Sequence, residues 1–217
     1  KFIYAKTTQG EVDHLKRLVG ENRSLDDFDL IIAEDRFTLS LENELLDAVK
    51  GKSSFSFNVF SFARLANTLS KERGDFSTLS KTGGVMAISK ILLDVSDELK
   101  CYKKLAGSYS SLSSSLFEII AQLKSSMIGY SDLLRAKSPS AALSNKANDI
   151  GRVFEEYEKF KKSDVLDAQD KAELLAELIP SSDLIKNSRV ILIGFTSFTK
   201  QFYKVIGNLF IAAKDVI

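Results

Sequence analysis

The sequence contains very few of the residues that support disulfide, zinc and imidazole chemistry. Among its 217 residues, Cys101 is the only cysteine, so the chain can build neither a disulfide framework nor a zinc cluster from several thiolates. His14 is the only histidine, which removes most histidine-based catalysis and metal binding. We expect neither residue to belong to a site.

Long apolar runs and an excess of charge are also missing. No run approaches the ~18 apolar residues that span a bilayer, and no secretory signal is visible, so we predict a cytoplasmic protein without a membrane partner. The net charge is +1, so the protein as a whole has no strong positive potential that would attract nucleic acid. A local basic groove is still possible. Hydrophobic residues make up 44% of the chain and charged residues 27%, as in ordinary globular proteins.

The chain up to about Lys71 alternates strand and helix signals. Apolar residues at helical spacing predict helices near residues 11–19, 39–49 and 62–69, the last capped by Ser61. Short apolar segments predict three strands, at Phe2–Ala5, Phe28–Ala33 and Phe55–Phe60. This order favours an α/β domain with a parallel sheet.

The pattern then changes to helices alone. From Ser80 to Ile185 no strand signal appears, and apolar spacing marks four helices around residues 85–99, 116–123, 150–157 and 174–179. A strand at Val190–Gly194, a helix over 200–213 and the start of a strand at Asp215 follow. We therefore predict an α/β domain in two parts, 1–72 and 187–217, carrying an all-helical insertion over 73–186.

Two positions matter for nucleotide chemistry. The segment Ala5–Gly10 follows the first predicted strand but lacks a Gly-Lys-Thr phosphate loop, so we expect a plain β-to-α turn, with a degenerate phosphate contact as the alternative. The strand Val190–Gly194 ends where an ATPase would place acidic residues to hold magnesium. No acid occurs between Val190 and Gln201.

The ends of the predicted strands also carry candidate anion-binding residues. Arg36 and Thr38 follow the second strand at a helix N-terminus that could bind a phosphate, although Glu34 and Asp35 could cap that helix instead. The third strand ends in the same way, with Ser61 as cap and Arg64 in the first helical turn. Base stacking by Phe62 is an alternative to a core position.

Other charged residues are predicted to be solvated. Paired carboxylates such as Glu155–Glu156 have no histidine nearby, and the lysine run at positions 159, 161 and 162 is typical of an exposed helix face.

Four blocks of the sequence, in order, resemble the N-terminal region of the AddB/RexB-type subunits of bacterial ATP-dependent helicase–nucleases. They are Ile32–Leu46, similar to the block V-P-E-Q-F-T-L-x-x-E-x-x-L; Val59–Ala66, similar to V-L-S-F-x-R-L-A; Lys146–Ile150, similar to K-L-x-D-I, with the later D-x-x-D segment from Asp167; and Ile193–Thr199, similar to I-D-G-F-x-x-F-T. The likeness covers essentially the whole chain. Two features depart from the family: the Walker-like loop is missing at Ala5–Gly10, and no aspartate precedes Gly194.

The resemblance implies a RecA/P-loop-like sheet, as in helicase domain 1A, with an insertion like domain 1B. It implies a helicase-like, ATPase-inactive segment without catalytic, cofactor-binding or metal-binding residues, in a full-length protein that is part of an ATP-dependent exonuclease acting in double-strand break repair and recombination. The implied partners are single-stranded DNA and the A-type helicase–nuclease subunit. The expected DNA-contacting residues follow the strand ends: Arg36, Thr38, Ser61, Arg64, Thr196 and Thr199. The alternatives are a divergent P-loop ATPase and a helical protein-interaction module.

Overall fold

The computed structural model describes residues 7–20, 28–48, 56–71, 74, 76–103, 109–161 and 165–217. The chain divides into two compact units. The first comprises the described parts of Lys1–Gly74, Lys171–Phe198 and Phe202–Ile217, and the second those of Asp75–Asp170 and Thr199–Gln201. The predicted strand Phe2–Ala5 lies outside the described residues, and the predicted boundaries at 72/73 and 186/187 stay predictions.

The first unit is built on a parallel four-stranded sheet, which confirms the predicted α/β class. Its strands, in spatial order, are β2 (Phe57–Phe60), β1 (Phe28–Ile32), β5 (Ser188–Leu192) and β6 (Asp215–Val216). In the register, Ile31 pairs with Val59 on one side and with Ile191 on the other. Strands distant in sequence therefore end at the same edge of the sheet.

Alternating strand residues bury both faces of this sheet. Leu30, Ile32 and Val190 face one core, together with helices α3 (Phe62–Ser70), α8 (Ala168–Leu178), α9 (Asp183–Lys186) and α10 (Lys200–Ala212). Ile31 and Ile191 face the opposite core, which is completed by α1 (Thr8–Gly20) and α2 (Thr38–Ala48). Apolar burial on both faces is what keeps a parallel sheet stable.

A buried ion pair joins the two central strands near their amino-terminal ends. Arg189 on β5 donates from Nε and Nη2 to the two carboxylate oxygens of Asp29 on β1, each at 2.8 Å. It also donates to the carbonyl oxygen of Leu18 at 3.0 Å. The bidentate geometry and the additional acceptor offset the desolvation of both charges.

The second unit packs helices around its own apolar core. These helices are α4 (Lys81–Asp94), α5 (Tyr109–Ser125), α6 (Tyr130–Arg135) and α7 (Ala141–Lys161), with a 3-10 turn at Ser96–Glu98. The core includes Ile88, Leu92, Leu116 and Tyr157, all fully buried. The helices predicted here are present, but the one predicted over 85–99 ends at Asp94 and is followed by the 3-10 turn, and α6 was not predicted from the sequence.

The prediction of an all-helical insertion was wrong. Strands β3 (Ser77–Thr78) and β4 (Val165–Leu166) pair in parallel, and the Leu79 N–H extends the ladder to the Leu166 carbonyl oxygen at 2.9 Å. Both strands lie within the range 73–186. A strand of two residues is too short to show an alternating pattern, so its sequence carries no period that could be detected.

Candidate nucleic-acid interface

The exits of β1, β2 and β5 lie side by side at the carboxyl edge of the sheet. Just beyond the strands, the Ala33 N–H donates to the Phe60 carbonyl oxygen at 2.9 Å, and the Ile193 N–H donates to the Ile32 carbonyl oxygen at 3.0 Å. Ligands of parallel α/β sheets bind in the crevice outside this edge. We call it the strand-exit surface, and define it by Glu34–Phe37, Phe60–Arg64 and Gly194–Phe198.

The β1 exit presents an arginine stacked on a phenylalanine. Asp35–Phe37 forms a 3-10 turn that leads into α2, and the Arg36 guanidinium carbon lies 4.6 Å from the centre of the exposed Phe37 ring. Arg36 Nε also donates to Glu34 Oε2 at 2.8 Å. Glu34 occupies the N-cap position of this 3-10 turn, but its side chain makes no cap hydrogen bond there and its carboxylate binds Arg36.

The β2 exit repeats this pairing. Ser61 caps α3, as predicted, by accepting the Arg64 N–H at 3.2 Å. Arg64 is exposed, and its guanidinium carbon lies 5.7 Å from the centre of the Phe60 ring. A cation over an aromatic face within about 6 Å is attracted by the ring quadrupole. Phe62 is buried in the core, which favours its structural role over base stacking.

The β5 exit adds an aromatic row. Gly194 has a φ of 78°, a conformation that favours glycine, and it turns the chain after the strand. The Phe195 ring lies 5.4 Å from Phe62 and 5.1 Å from Phe198, measured between ring centres. Thr196, between the two phenylalanines, is exposed. The Gly-Phe-Thr-Ser-Phe segment therefore anchors its rings inward and presents a hydroxyl outward.

The six predicted contact residues fall into three groups. Arg36, Arg64 and Thr196 are exposed on the strand-exit surface. Thr38 and Ser61 are buried, and both hydroxyls are used internally, since Thr38 Oγ1 donates to the Asp35 carbonyl oxygen at 3.0 Å and Ser61 is the cap described above. These two side chains support the surface. Thr199 is exposed, but it belongs to the second unit.

The sequence did not indicate that Phe37 and Phe60 would lie beneath the arginines. Phe37 follows Arg36 directly, whereas Phe60 and Arg64 are four residues apart, across a strand-to-helix turn. Alternating arginine and aromatic residues at successive strand ends were the signal that could have found this pattern.

A second charged cluster lies in the second unit, where solvated residues were predicted. Lys161 is only 3% exposed, and its ammonium contacts carboxylate oxygens of Glu158, Asp167 and Asp170 at 3.0, 3.0 and 2.6 Å. Lys124 contacts the same three carboxylates. The prediction of a solvated lysine face is therefore wrong for Lys161.

The electrostatics of this cluster favour the charged forms of Asp167 and Lys124. Burial opposes ionisation of Asp167, but Lys124 and Lys161 outweigh it and lower the pKa of that carboxyl to about 2. Burial likewise opposes the charge on Lys124, and the three carboxylates outweigh it and raise its pKa. In the described part of the chain, these carboxylates form the one group whose oxygens are spaced to hold a metal ion. The two ammonium groups already bind those oxygens and offset two of the three negative charges.

Comparison with known proteins identifies the family. The model of the family described as "ADDB, N-terminal" matches residues 8–217. The chain belongs to this AddB N-terminal family. It is similar to the B-type subunit of the ATP-dependent helicase/deoxyribonuclease of Listeria monocytogenes serotype 4a (strain HCC23), with 32% identity over 96% of this chain and 18% of that protein.

More distant members of the AddB family carry the same name. The protein of Bacillus subtilis (strain 168) is 28% identical over 86% of this chain and 17% of that protein, and that of Clostridium novyi (strain NT) is 26% identical over 100% and 20%. The chain thus spans about a fifth of the length of the curated relatives it matches. In the described ranges, no helix combines the length and apolar character that crossing a membrane requires.

Proposed function

We propose that this chain is the helicase-like N-terminal part of the B-type subunit of a helicase–nuclease, and that it contacts single-stranded DNA without hydrolysing ATP. The sheet corresponds to the RecA-like domain 1A and the second unit to domain 1B. The whole protein works in double-strand break repair and recombination together with an A-type partner. The names of the relatives and the family match support the assignment.

One observation carries the DNA contact. Two exposed arginines lie over phenylalanine rings, 4.6 and 5.7 Å from the ring centres, at neighbouring strand exits of one sheet. Guanidinium groups bind phosphates, and arginine planes and aromatic rings stack on unpaired bases. The strand-exit surface therefore suits single-stranded DNA, whose unpaired bases are free to stack on these side chains. It suits duplex DNA less, because paired bases are stacked inside the duplex.

The sequence supports the lack of ATPase activity. Magnesium and the γ-phosphate of ATP require acids at the end of a central strand and a lysine-bearing phosphate loop. The β5 exit runs from Val190 to Gln201 without an acid. Of the segment Ala5–Gly10, the described part is Thr7, whose Oγ1 accepts the Gly10 N–H at 3.1 Å, and the start of α1.

Charge reversal tests the DNA contact. We expect Arg36→Glu and Arg64→Glu each to weaken binding of a fluorescent single-stranded oligonucleotide about tenfold, measured by anisotropy at constant salt. Arg135→Glu is the matched control, because Arg135 is as exposed as Arg36 and pairs with a nearby carboxylate, Asp132, but lies in the second unit. Equal affinities for all three variants and the unmodified chain would remove the strand-exit surface from the proposal.

Calorimetry tests the nucleotide part. Titration of the protein with ATP and Mg²⁺ should give no binding heat, since the groups that anchor phosphate and metal are missing from the sequence. Micromolar affinity would favour the divergent P-loop ATPase instead.

A further inference from the structure

Four aromatic rings form a row that begins in the core beneath the strand-exit surface and ends in solvent. The first three, described above, are those of the buried Phe62 and the half-buried Phe195 and Phe198. The Phe198 ring centre lies 6.0 Å from that of Tyr203, near the start of α10. Tyr203 is 63% exposed. It therefore continues the strand-exit surface onto α10.

Neighbouring rings hold the side chain of Tyr203 in place. The preceding residue, Phe202, points inward, and its ring centre lies 4.6 Å from that of Phe62. The next residue of an α-helix points about 100° away, which brings the Tyr203 ring out of the core. There it meets Phe198 with 68° between the ring planes, an edge-to-face contact. The Tyr203 ring is thus both oriented and open to solvent.

An exposed aromatic ring that is already oriented suits base stacking. Every base has a π-face, so stacking on such a ring does not require a particular sequence. A tyrosine side chain has only two torsions to restrict, so little conformational freedom is lost when a ligand binds. The segment Gly194–Tyr203 also contains no aspartate or glutamate, so it adds no negative charge that would repel a phosphate.

We propose that Tyr203 stacks on an unpaired base of the single-stranded DNA at the strand-exit surface. This proposal rests on the DNA contact proposed above, and extends it by a residue that the sequence pattern did not indicate. Arg36 and Arg64 offer positive charge, whereas Tyr203 offers an uncharged ring. Its contribution to binding therefore depends on the base and not on the phosphate.

Two ligands separate base stacking from backbone contacts. Anisotropy titrations of the full-length protein compare a fluorescent oligodeoxythymidylate of about 12 nucleotides with an abasic oligomer of equal length, which keeps the sugars and phosphates. We expect Tyr203→Ala to weaken binding of the thymidylate about tenfold and to leave binding of the abasic oligomer unchanged. Tyr203→Phe and Tyr203→Trp keep a ring, and should bind the thymidylate as the unmodified protein does.

Tyr130 provides a matched control. It is 36% exposed, and its ring meets that of Phe154 edge-on at 6.1 Å, but it lies in the second unit. Tyr130→Ala should leave binding of both ligands unchanged. If Tyr203→Ala weakened binding of both ligands equally, or of neither, the stacking role would be wrong. Thermal unfolding should be similar for Tyr203→Ala and the unmodified protein, since most of this side chain is exposed.

Photocrosslinking gives a second readout without changing the protein. A thymine of the oligonucleotide is replaced by 5-iodouracil, which on irradiation reacts with an aromatic ring stacked on it. We expect mass spectrometry to find the crosslink on the peptide that contains Tyr203. Crosslinks confined to other peptides would overturn the proposal.

The outcomes also separate this proposal from the proposed function. If Arg36→Glu and Arg64→Glu weaken binding of the thymidylate and Tyr203→Ala does not, the stacking role alone is wrong. If the unmodified protein does not bind single-stranded DNA, the proposed DNA contact is wrong, and the stacking role with it.

Discussion

Asp149 is a buried carboxylate on α7 that organises a loop distant in sequence. It accepts the backbone N–H groups of Lys100, Cys101 and Tyr102 at 3.0, 2.6 and 3.1 Å. Three successive amides converging on one anion replace the hydration that burial removes. The carboxylate therefore fixes the path of the chain after the 3-10 turn at Ser96–Glu98.

Removing this carboxylate should destabilise the protein. We expect Asp149→Ala to lower the free energy of unfolding by about 2–3 kcal/mol, because it removes the charged acceptor that three backbone N–H groups share, and Asp149→Asn by less, because one acceptor remains. Urea titration followed by circular dichroism measures both. Asp97→Ala, at a largely exposed position with one surface ion pair, should change stability by less than about 0.5 kcal/mol. Similar losses at both positions would contradict the argument.

The sequence pattern located Asp149 but not its role. The block around Lys146–Ile150 resembles the family pattern, yet the amides that bind the carboxylate lie 47–49 residues earlier in the chain. The same limit applies to Lys161, which lies at an ordinary lysine-rich helix end. Its buried ammonium is paired with Asp167 and Asp170, which come later in the chain. Local pattern does not reveal partners that tertiary contacts supply.

At the scale of elements, the start of α8 is fixed by charge. Asp167 Oδ1 accepts the N–H groups of Gln169 and Asp170, both at 2.9 Å, and Asp170 Oδ2 accepts the Asp167 N–H at 3.0 Å. This reciprocal arrangement is a capping box built from two aspartates. The lysines of α5 and α7 bind the same carboxylates, so the cap also ties α5, α7 and the start of α8 together.

This cluster predicts a pH dependence of stability. The pKa of Asp167 is about 2 in the folded protein, below the ordinary value near 4. The ionised carboxylate therefore contributes its full stabilisation to the folded protein above about pH 4, and this stabilisation is lost as the pH falls toward 2. A shift of nearly two pKa units corresponds to about 2 kcal/mol. The unfolding free energy of Asp167→Asn should therefore fall less steeply between pH 4 and pH 2 than that of the unmodified protein. Parallel curves from urea titrations across this range would contradict the assignment.

The elements predicted best are those with long amphipathic patterns. Ser61 was correctly identified as the cap of α3, and α10 was predicted within one residue of its end. Short elements were missed: α6 has six residues, less than two helical turns, and β3 and β4 have two each, a single period of a strand pattern that never repeats. The strand Val190–Gly194 was predicted two residues late, because Ser188 and the buried Arg189 are polar.

At the scale of the whole molecule, the candidate interface depends on topology rather than on net charge. Strands that are distant in sequence end at one edge because all are parallel, which the β-α order already predicted. The exposure of Arg36, Arg64 and Thr196 and the burial of Thr38 and Ser61 depend on packing that the sequence does not show. A surface without a large positive charge binds few phosphate groups of DNA at once.

The salt dependence of DNA binding should therefore be shallow. If Arg36 and Arg64 make the phosphate contacts, the slope of log affinity against log salt should be about −1.4, and each arginine removed should reduce its size by about 0.7. Anisotropy titrations at several potassium chloride concentrations measure this slope. A slope steeper than about −4 would show that a larger basic surface binds the DNA.

The pairing of β1 with β5 has a consequence for synthesis. Asp29 and Arg189 are 160 residues apart, so the centre of the sheet cannot close until the segment that contains Arg189 has left the ribosome. Residues 75–170 form most of a unit with its own core, and their contacts can form earlier. The apolar faces of β1 and β2 stay exposed until that later strand is made, which makes the nascent chain prone to aggregation during this interval.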